Sequence, residues 1–547
     1  MLKFFACLIL PAAALVGAGP EEAFAPIFES RVELTPQNKI DDLVFARLKQ
    51  LGIQPANLCS DAVFVRRAYL DVIGTVPTGK EANQFLQDKD PKKRSALIDR
   101  LLDRPEFADY WAMKWSDLLR IKAEFPINLW PNAAQAYHHW IVSSLSENKP
   151  YDQFVRELLT ASGSNFRDAP VNFYRAMQSR EPQAIAQTVA LNFMGVRAEK
   201  WPKERLADLS AFFTYIGYKE TGEWKEEIVF FDASKTGAVD PSKSGAVDPG
   251  KTGAVDPGKT GTPLPREATF PDGSHATLTA DRDPRELFAD WLTAAGNPWF
   301  AQNIVNRTWS WLLGRGIVHE PDDIRPDNPP ENPALLAFLE KELVASKYDL
   351  KHIYRLILNS DTYQLSSIPR TASADADRHF ASYPLRRLDA EVLIDALCQI
   401  TGTTEKYSSA IPEPFTFIPD EQRSISLPDG SITSSFLEQF GRPPRDTGLE
   451  SERNNRLTAS QALHLLNSSH IQQKIERSPK LNYLIQNSQN PQALVTSLYL
   501  IVLSRYPTPE EFKVVSAYSQ AGAANGRAAT MDLIWSLMNS AEFLYRH

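Results

Sequence analysis

The sequence predicts a mainly α protein, with two helical domains and small β additions joined by a Gly/Pro-rich repeat linker. Three observations lead there. Capping residues recur just ahead of apolar positions spaced by three and four. Strand-like patterning is confined to a few short stretches. An eight-residue unit, SKTGAVDP then SKSGAVDP then GKTGAVDP, runs from Ser234 to Pro257 between the helix-rich parts.

The elements follow from local chemistry. Residues 1–25 read as a secretory signal peptide: Lys3, an apolar stretch from Phe4 to Val16, then Ala23-Phe24-Ala25 as a small-residue cleavage site. Pro11 interrupts the stretch, which is shorter than the roughly 18 residues of a spanning helix. A membrane anchor is therefore disfavoured, and a periplasmic or secreted location is expected, with no transmembrane segment after signal removal. Residues 26–221 form the first helical domain. Thr78-Gly-Lys-Glu81 is a capping box. Asp90-Pro91 is expected to cap the helix carrying Leu97, Ile98, Leu101 and Leu102. Pro105 opens the next, with Phe107, Trp111, Trp115, Leu118 and Leu119 on one face. Residues 222–265 hold the best strand, Glu226 to Phe231, and the repeat. Residues 266–547 form the second helical domain. Here Asp283-Pro284, Asn297-Pro298, Asn332-Pro333 and Thr508-Pro509-Glu-Glu511 mark helix starts, and Gly314 marks an end. His275–Thr279 and Phe415–Ile418 are weaker strand candidates.

Within the repeat, Gly245–Thr252 and Gly253–Thr260 match the phosphate-binding pattern G-x-x-x-x-G-K-[ST]. A working loop needs a strand before it and a helix after it, so that backbone N–H groups face the phosphates. Here each Lys-Thr runs into Gly-Ala-Val-Asp-Pro, which leaves no room for that helix. The match is a product of the repeat, and no nucleotide partner is expected.

Composition narrows the classes. With 43% hydrophobic and 23% charged residues the chain is globular rather than disordered. A net charge of −8 gives no reason to expect nucleic acid. Cys59 and Cys398 read as separate buried thiols. No C-x-x-C occurs, so cysteine-type zinc and haem attached through C-x-x-C-H are not expected. No cofactor is indicated.

The stretches DAVFVRRAYLDVIGTVPTGKEANQFLQD, RSALIDRLLDRPEFADYWAMKWSDLLRI and KPYDQFVRELLTASG resemble the cytochrome-associated PSCyt-two domain, a domain of unknown function abundant in planctomycete-type bacteria. NPWFAQNIVNRTWSWLLGRGIVHEPDDIRPDNPPENPALLAFL, YPLRRLDAEVLIDAL, FGRPPRD, QALHLLNSSHI and LMNSAEFLYRH resemble its usual companion, PSD-one. The resemblance implies an exported two-domain protein and brings no reaction with it. Many relatives carry C-x-x-C-H between F-x-G-V-R and A-F-F. Phe193 to Phe213, FMGVRAEKWPKERLADLSAFF, has neither the cysteines nor the histidine. The electron-transfer role that the resemblance suggests is weakened accordingly.

FLEQFGRPPRDTGLESERNN is the most suggestive polar stretch. Gly441 and Pro443-Pro444 force a turn, after which Arg442, Arg445, Glu450, Glu452 and Arg453 crowd together. Arg forks bind carboxylate, sulfate or phosphate, and paired carboxylates do acid–base work on glycosides. The alternative, an interdomain clasp of ion pairs, is preferred, with Arg445 expected to use the acids that follow it. In VRRAYLDVIG, Arg67 and Asp71 are placed for a structural i,i+4 pair. His138-His139 cannot face one site, and His464 and His470 are poorly spaced for one helical face. His319, Glu320, Asp322 and Asp323 read as solvated loop groups before a metal site. Trp111–Trp115 and Trp299–Trp311 read as core. The function expected is interaction or scaffolding with a protein or glycan outside the cytoplasm. A hydrolase or binding protein for anionic polysaccharide is the alternative, and catalytic residues are not identified.

Overall fold

A computed structural model describes residues 27–127, 129–235, 266–520 and 526–547. The predicted signal peptide and most of the repeat lie outside these residues. The fold is mainly α. Only three small antiparallel sheets occur among the described residues.

The helix Asp61–Ile73 sits at the centre of the N-terminal part. Every residue from Val63 to Ile73 is buried, charged ones included. It packs on Gly79–Gln87, Lys93–Leu102 and Pro105–Leu118. The Thr78 capping box forms as the sequence predicts. The Asp90-Pro91 start does not. That helix begins at Lys93, because Asp90 turns its carboxylate to the Lys92 N–H (2.8 Å) and closes a turn before the helix. Pro105, Asp283-Pro284 and Asn332-Pro333 open helices as expected. Asn297 instead accepts from the N–H groups of Trp299 and Phe300, and its helix starts at Phe300.

The strand Glu227–Phe231 lies between Ile216–Glu220 and Gly163–Ser164, with Tyr218 opposite Val229. A boundary drawn after Thr221 therefore cuts a hairpin, and this strand is continuous with the N-terminal part. His275–Leu278 pairs with Arg266–Thr269. Phe415–Ile418 is not a strand. It is a turn followed by irregular chain, and Phe415 packs edge-on against Trp130 (5.1 Å).

One apolar core spans both parts. Trp111 meets Tyr354 (4.5 Å) and Trp311 (5.4 Å), and Trp115 meets Trp311 (5.9 Å). Buried arginines tie the two parts as well. Arg66 donates to the carbonyls of Val502 and Phe543, both at 2.9 Å. Arg67 donates to those of Tyr363, Leu365 and His547. The expected Arg67–Asp71 pair is absent. Asp71 instead accepts from Tyr363 (2.9 Å), Tyr383 (2.7 Å) and Arg546 (3.2 Å). Both side chains are buried, so each goes to the partner that satisfies it across the seam rather than to its helical neighbour.

Candidate functional site

A cleft of about 560 Å³ opens where the N-terminal helices meet the helix Ala390–Thr401. Thr75, Thr78, Glu81, Arg104 and Glu106 form one wall. Asp395, Cys398, Gln399 and the chain through Glu405 and Tyr407 form the other, with Glu421 to Arg423 and Lys480 at its margins. Gln399 fastens the walls together. Its amide donates to the Val76 carbonyl (2.8 Å), and its oxygen accepts from Thr75 (2.5 Å).

Helix starts position the near wall. Glu81 accepts from the Thr78 N–H (2.8 Å) and hydroxyl (2.7 Å) within the capping box. Arg104, at the start of its helix, grips Glu106 with two bonds (3.1 and 2.5 Å) and reaches Glu81 (2.9 Å). Burial disfavours the Glu81 charge, but the Thr78 and Tyr69 hydrogen bonds and Arg104 outweigh it, so this carboxyl lies below its ordinary range. Glu106 is lowered chiefly by its Arg104 bond. Asp395, in the far wall, behaves oppositely. Burial raises it to about 6, although Arg423 and the N–H groups of Ser424 (2.7 Å) and Ile425 (3.1 Å) favour its charge. The cleft thus offers fixed acceptors beside guanidinium, amide and hydroxyl donors. That mixture suits a ligand with many hydroxyl groups.

The predicted Arg/Glu cluster lies elsewhere and is internal. Arg445 is 1% exposed. It donates to Asp117 (2.9 Å) and to the Ile121 carbonyl (3.2 Å). Its partner is therefore an acid of the Pro105–Leu118 helix, not one of the acids that follow it, because the chain turns away at Arg445 with φ of 61°. Arg453 bridges Asp117 (2.6 Å) and Glu391 (2.7 Å). Arg442 donates to the carbonyls of Ile432 and Asp429 and stands 3.6 Å from Glu391. Glu450 and Glu452 do not join this group. Glu450 accepts from Trp311 (3.0 Å), and burial raises its carboxyl. Glu452 accepts from the N–H groups of Asp446 and Thr447, both at 3.0 Å, and burial raises it too.

The network extends through residues that the sequence reading missed. Lys114 (3.1 Å), Arg546 (3.1 Å) and Asn455 (2.7 Å) converge on Asp389. Lys114, Asp117, Glu391 and Asp395 each interrupt an otherwise apolar helix face. That interruption is the signal that could have found them. Burial works against the charge of Asp117 and Asp389, yet their cationic neighbours hold both below the ordinary value. A cavity of about 10 Å³ beside Lys114, Asp117, Glu450 and Arg453 is the size of one water.

The remaining candidates separate. Asp322 turns inward to Arg307 (2.8 Å), while Asp323 stays near Lys200 and Arg325. Among the described residues no three His, Cys, Asp or Glu side chains converge on a metal-sized point. His138 is buried and His139 exposed. His464 and His470 do meet (3.4 Å), from successive helices rather than from one. Between the F-x-G-V-R and A-F-F stretches, the chain forms a 3-10 turn (Ala198–Lys200) and the helix Lys203–Ala211, with Trp201 under Arg205 (4.0 Å). Trp111, Trp115, Trp309 and Trp311 are core, as expected. The exposed aromatics are others, among them Phe125 (71%), Tyr483 (70%), Trp224 (69%) and Phe417 (68%), with Trp224 edge-on to Trp130 (6.3 Å). Among the described residues no helix is long and apolar enough to cross a membrane.

Comparison with known proteins matches residues 39–204 to PSCyt2, a protein of unknown function (DUF1549), and residues 284–519 to PSD1, a protein of unknown function (DUF1553). No curated protein and no solved structure matches. The cleft and the charge network both draw on each matched segment, in the order PSCyt2 then PSD1, and the chain belongs to this two-domain family.

Proposed function

We propose that the protein is an extracytoplasmic interaction or scaffold protein that holds a glycan in the cleft between its two segments. The cleft carries this reading. It is about 560 Å³, and its lining includes carboxylate, guanidinium, amide and hydroxyl groups, several of which the protein already holds in place through Thr78, Glu81, Arg104, Glu106 and Gln399. Fixed donors and acceptors suit sugar hydroxyls because little ordering remains at the moment of binding.

The alternative, a hydrolase using the Arg/Glu cluster on anionic polysaccharide, loses its argument. Arg442, Arg445 and Arg453 already bond acids and carbonyls inside the protein, so we read that cluster as a clasp. Titration calorimetry with neutral, acidic and amino oligosaccharides tests the binding proposal, using Arg423→Ala and Glu421→Gln as cleft variants. Both should weaken binding; Glu421→Gln, at an exposed position, should leave the melting temperature nearly unchanged, whereas Arg423→Ala also withdraws the cation 3.6 Å from Asp395 and should lower it modestly. Absence of binding across the panel would overturn the reading. New reducing ends appearing during incubation would replace it with an enzymatic one.

A further inference from the structure

Cys398 sits near the end of the helix Ala390–Thr401 and lines the cleft. Lys474, on the helix Ser469–Glu476, places its Nζ 3.4 Å from the Cys398 Sγ. The lysine is buried and held in place. It donates to the Thr404 carbonyl (2.8 Å) and pairs with Glu405 (3.0 Å). Glu405 also meets His470 (2.9 Å), and His470 meets His464 (3.4 Å). Two nucleophiles from separate helices therefore stand within reach of a covalent bond, and a carboxylate–imidazole chain leads away from the amine.

We propose that Cys398 and Lys474 are an oxidative cross-linking site that takes hydrogen peroxide as its oxidant and closes to a sulfenamide. In the first step the sulfur attacks one peroxide oxygen, the O–O bond breaks and water leaves. Cysteine becomes sulfenic acid, sulfur having lost the two electrons that peroxide gains. In the second step Lys474 passes its extra proton to Glu405, and the free amine attacks sulfur. The S–N bond forms as the S–O bond breaks, and the hydroxyl leaves as water with an amine proton. One peroxide is consumed, two waters form, and the protein loses two hydrogens. The cleft gives a small oxidant its route to Cys398, whereas the other thiol, Cys59, is fully buried and has no amine beside it. Burial raises the Cys398 thiol while the Lys474 charge opposes that rise. The thiolate is the attacking form, so the reaction should quicken from neutral to alkaline pH. The cross-link stands or falls independently of the glycan reading.

The experiment treats the full chain with hydrogen peroxide at neutral and alkaline pH, blocks free thiols, and reads intact and peptide masses. The expected product joins the Cys398 and Lys474 peptides with loss of two hydrogens, leaves Cys59 a free thiol that is blocked once the chain is unfolded in denaturant, and reverts with a thiol reductant. Lys474→Arg, which keeps the charge but not the nucleophile, should abolish the link while Cys398 still oxidises. Lys474→Gln serves the same purpose should the Arg variant fold poorly. Sulfinic or sulfonic acid at Cys398 without a link, a disulfide in its place, or no reaction at Cys398 would overturn the proposal. A link that retains an oxygen would need further oxidant and would overturn the one-peroxide chemistry.

Discussion

Arg442 and Arg445 are three positions apart, yet their charges meet different surroundings. Arg445 has Asp117 at 2.9 Å, whereas the nearest carboxylate to Arg442 is Glu391 at 3.6 Å. Burial, with the Arg445 charge next in weight, pushes Arg442 down to about 10. Removing Arg445 leaves Asp117 with Arg453 bonded to it and the Lys114 charge nearby. Arg445→Ala should therefore cost about 3 kcal/mol, the low end for breaking a buried pair, because Asp117 keeps cations. Arg442→Ala gives up carbonyl hydrogen bonds but also relieves a like-charge contact, so about 1–3 kcal/mol is expected. Urea denaturation of the two variants checks the order. If Arg442→Ala proved the costlier, the clasp would not be centred on Asp117.

Two short elements place these groups, and each has one residue that decides its shape. Gly441 adopts φ of 87°, and a Cβ there would collide with the main-chain oxygen of Asn454. The Cβ is fixed to its own Cα and the oxygen belongs to the main chain, so neither can swing aside. Gly441→Ala should destabilise by at least ~1–3 kcal/mol, the usual cost of a strained residue. It should also loosen the Arg442 and Arg445 contacts, which hydrogen exchange across 441–455 would show as faster exchange. The Thr78 capping box is the corresponding device in the cleft. Thr78→Ala should cost about 1 kcal/mol: it removes the hydroxyl's bond to the Glu81 carboxylate and the one the hydroxyl accepts from the Glu81 N–H, while the residue-78 N–H still holds the carboxylate. Reduced glycan affinity greater than that of an exposed helix-cap variant elsewhere is the expected outcome in calorimetry.

At the scale of the molecule, a shared core and arginines that reach 436 to 480 residues along the chain make the two segments one cooperative unit. Residues 26–221 expressed alone should fail to give a cooperative melt, because Arg66 and Arg67 would lose their carbonyl partners. A sharp two-state transition from that fragment would contradict the shared-core account. The pH profile follows from two opposed groups. Asp117 and Asp389 have folded values below the ordinary 3.8, so their stabilisation is present above that value and is lost as pH falls through the lower folded one. Asp395 is raised to about 6, so the folded state holds the extra proton and its contribution declines as pH rises from 3.8 to about 6. Asp395→Asn keeps one acceptor oxygen, enough for the Ser424 or the Ile425 N–H but not both, and so lowers the melting temperature at every pH. It should flatten the decline in melting temperature over that window and leave the acid limb below it intact.

The sequence by itself determined the mainly α class, the helix starts at Thr78, Pro105, Pro284 and Pro333, the Gly441 turn and the family, though not the starts at Asp90-Pro91 and Asn297-Pro298. Each of these rests on contacts within a few residues or on ordered motifs. It also identified the Arg442–Arg453 segment as charged and worth attention. Only the tertiary structure decided where those charges go. Arg445 finds Asp117 on a helix 328 residues earlier, and Arg453 finds Glu391 62 residues earlier, while Glu450 and Glu452 turn to other partners. The strand Ile216–Glu220, the exposure of Trp224 and the meeting of His464 with His470 belong to the same class. A buried ion must be compensated by whatever opposite charge the packed chain brings near. Which charge that is depends on how helices cross, and periodicity and spacing along one strand of sequence carry no record of the crossing.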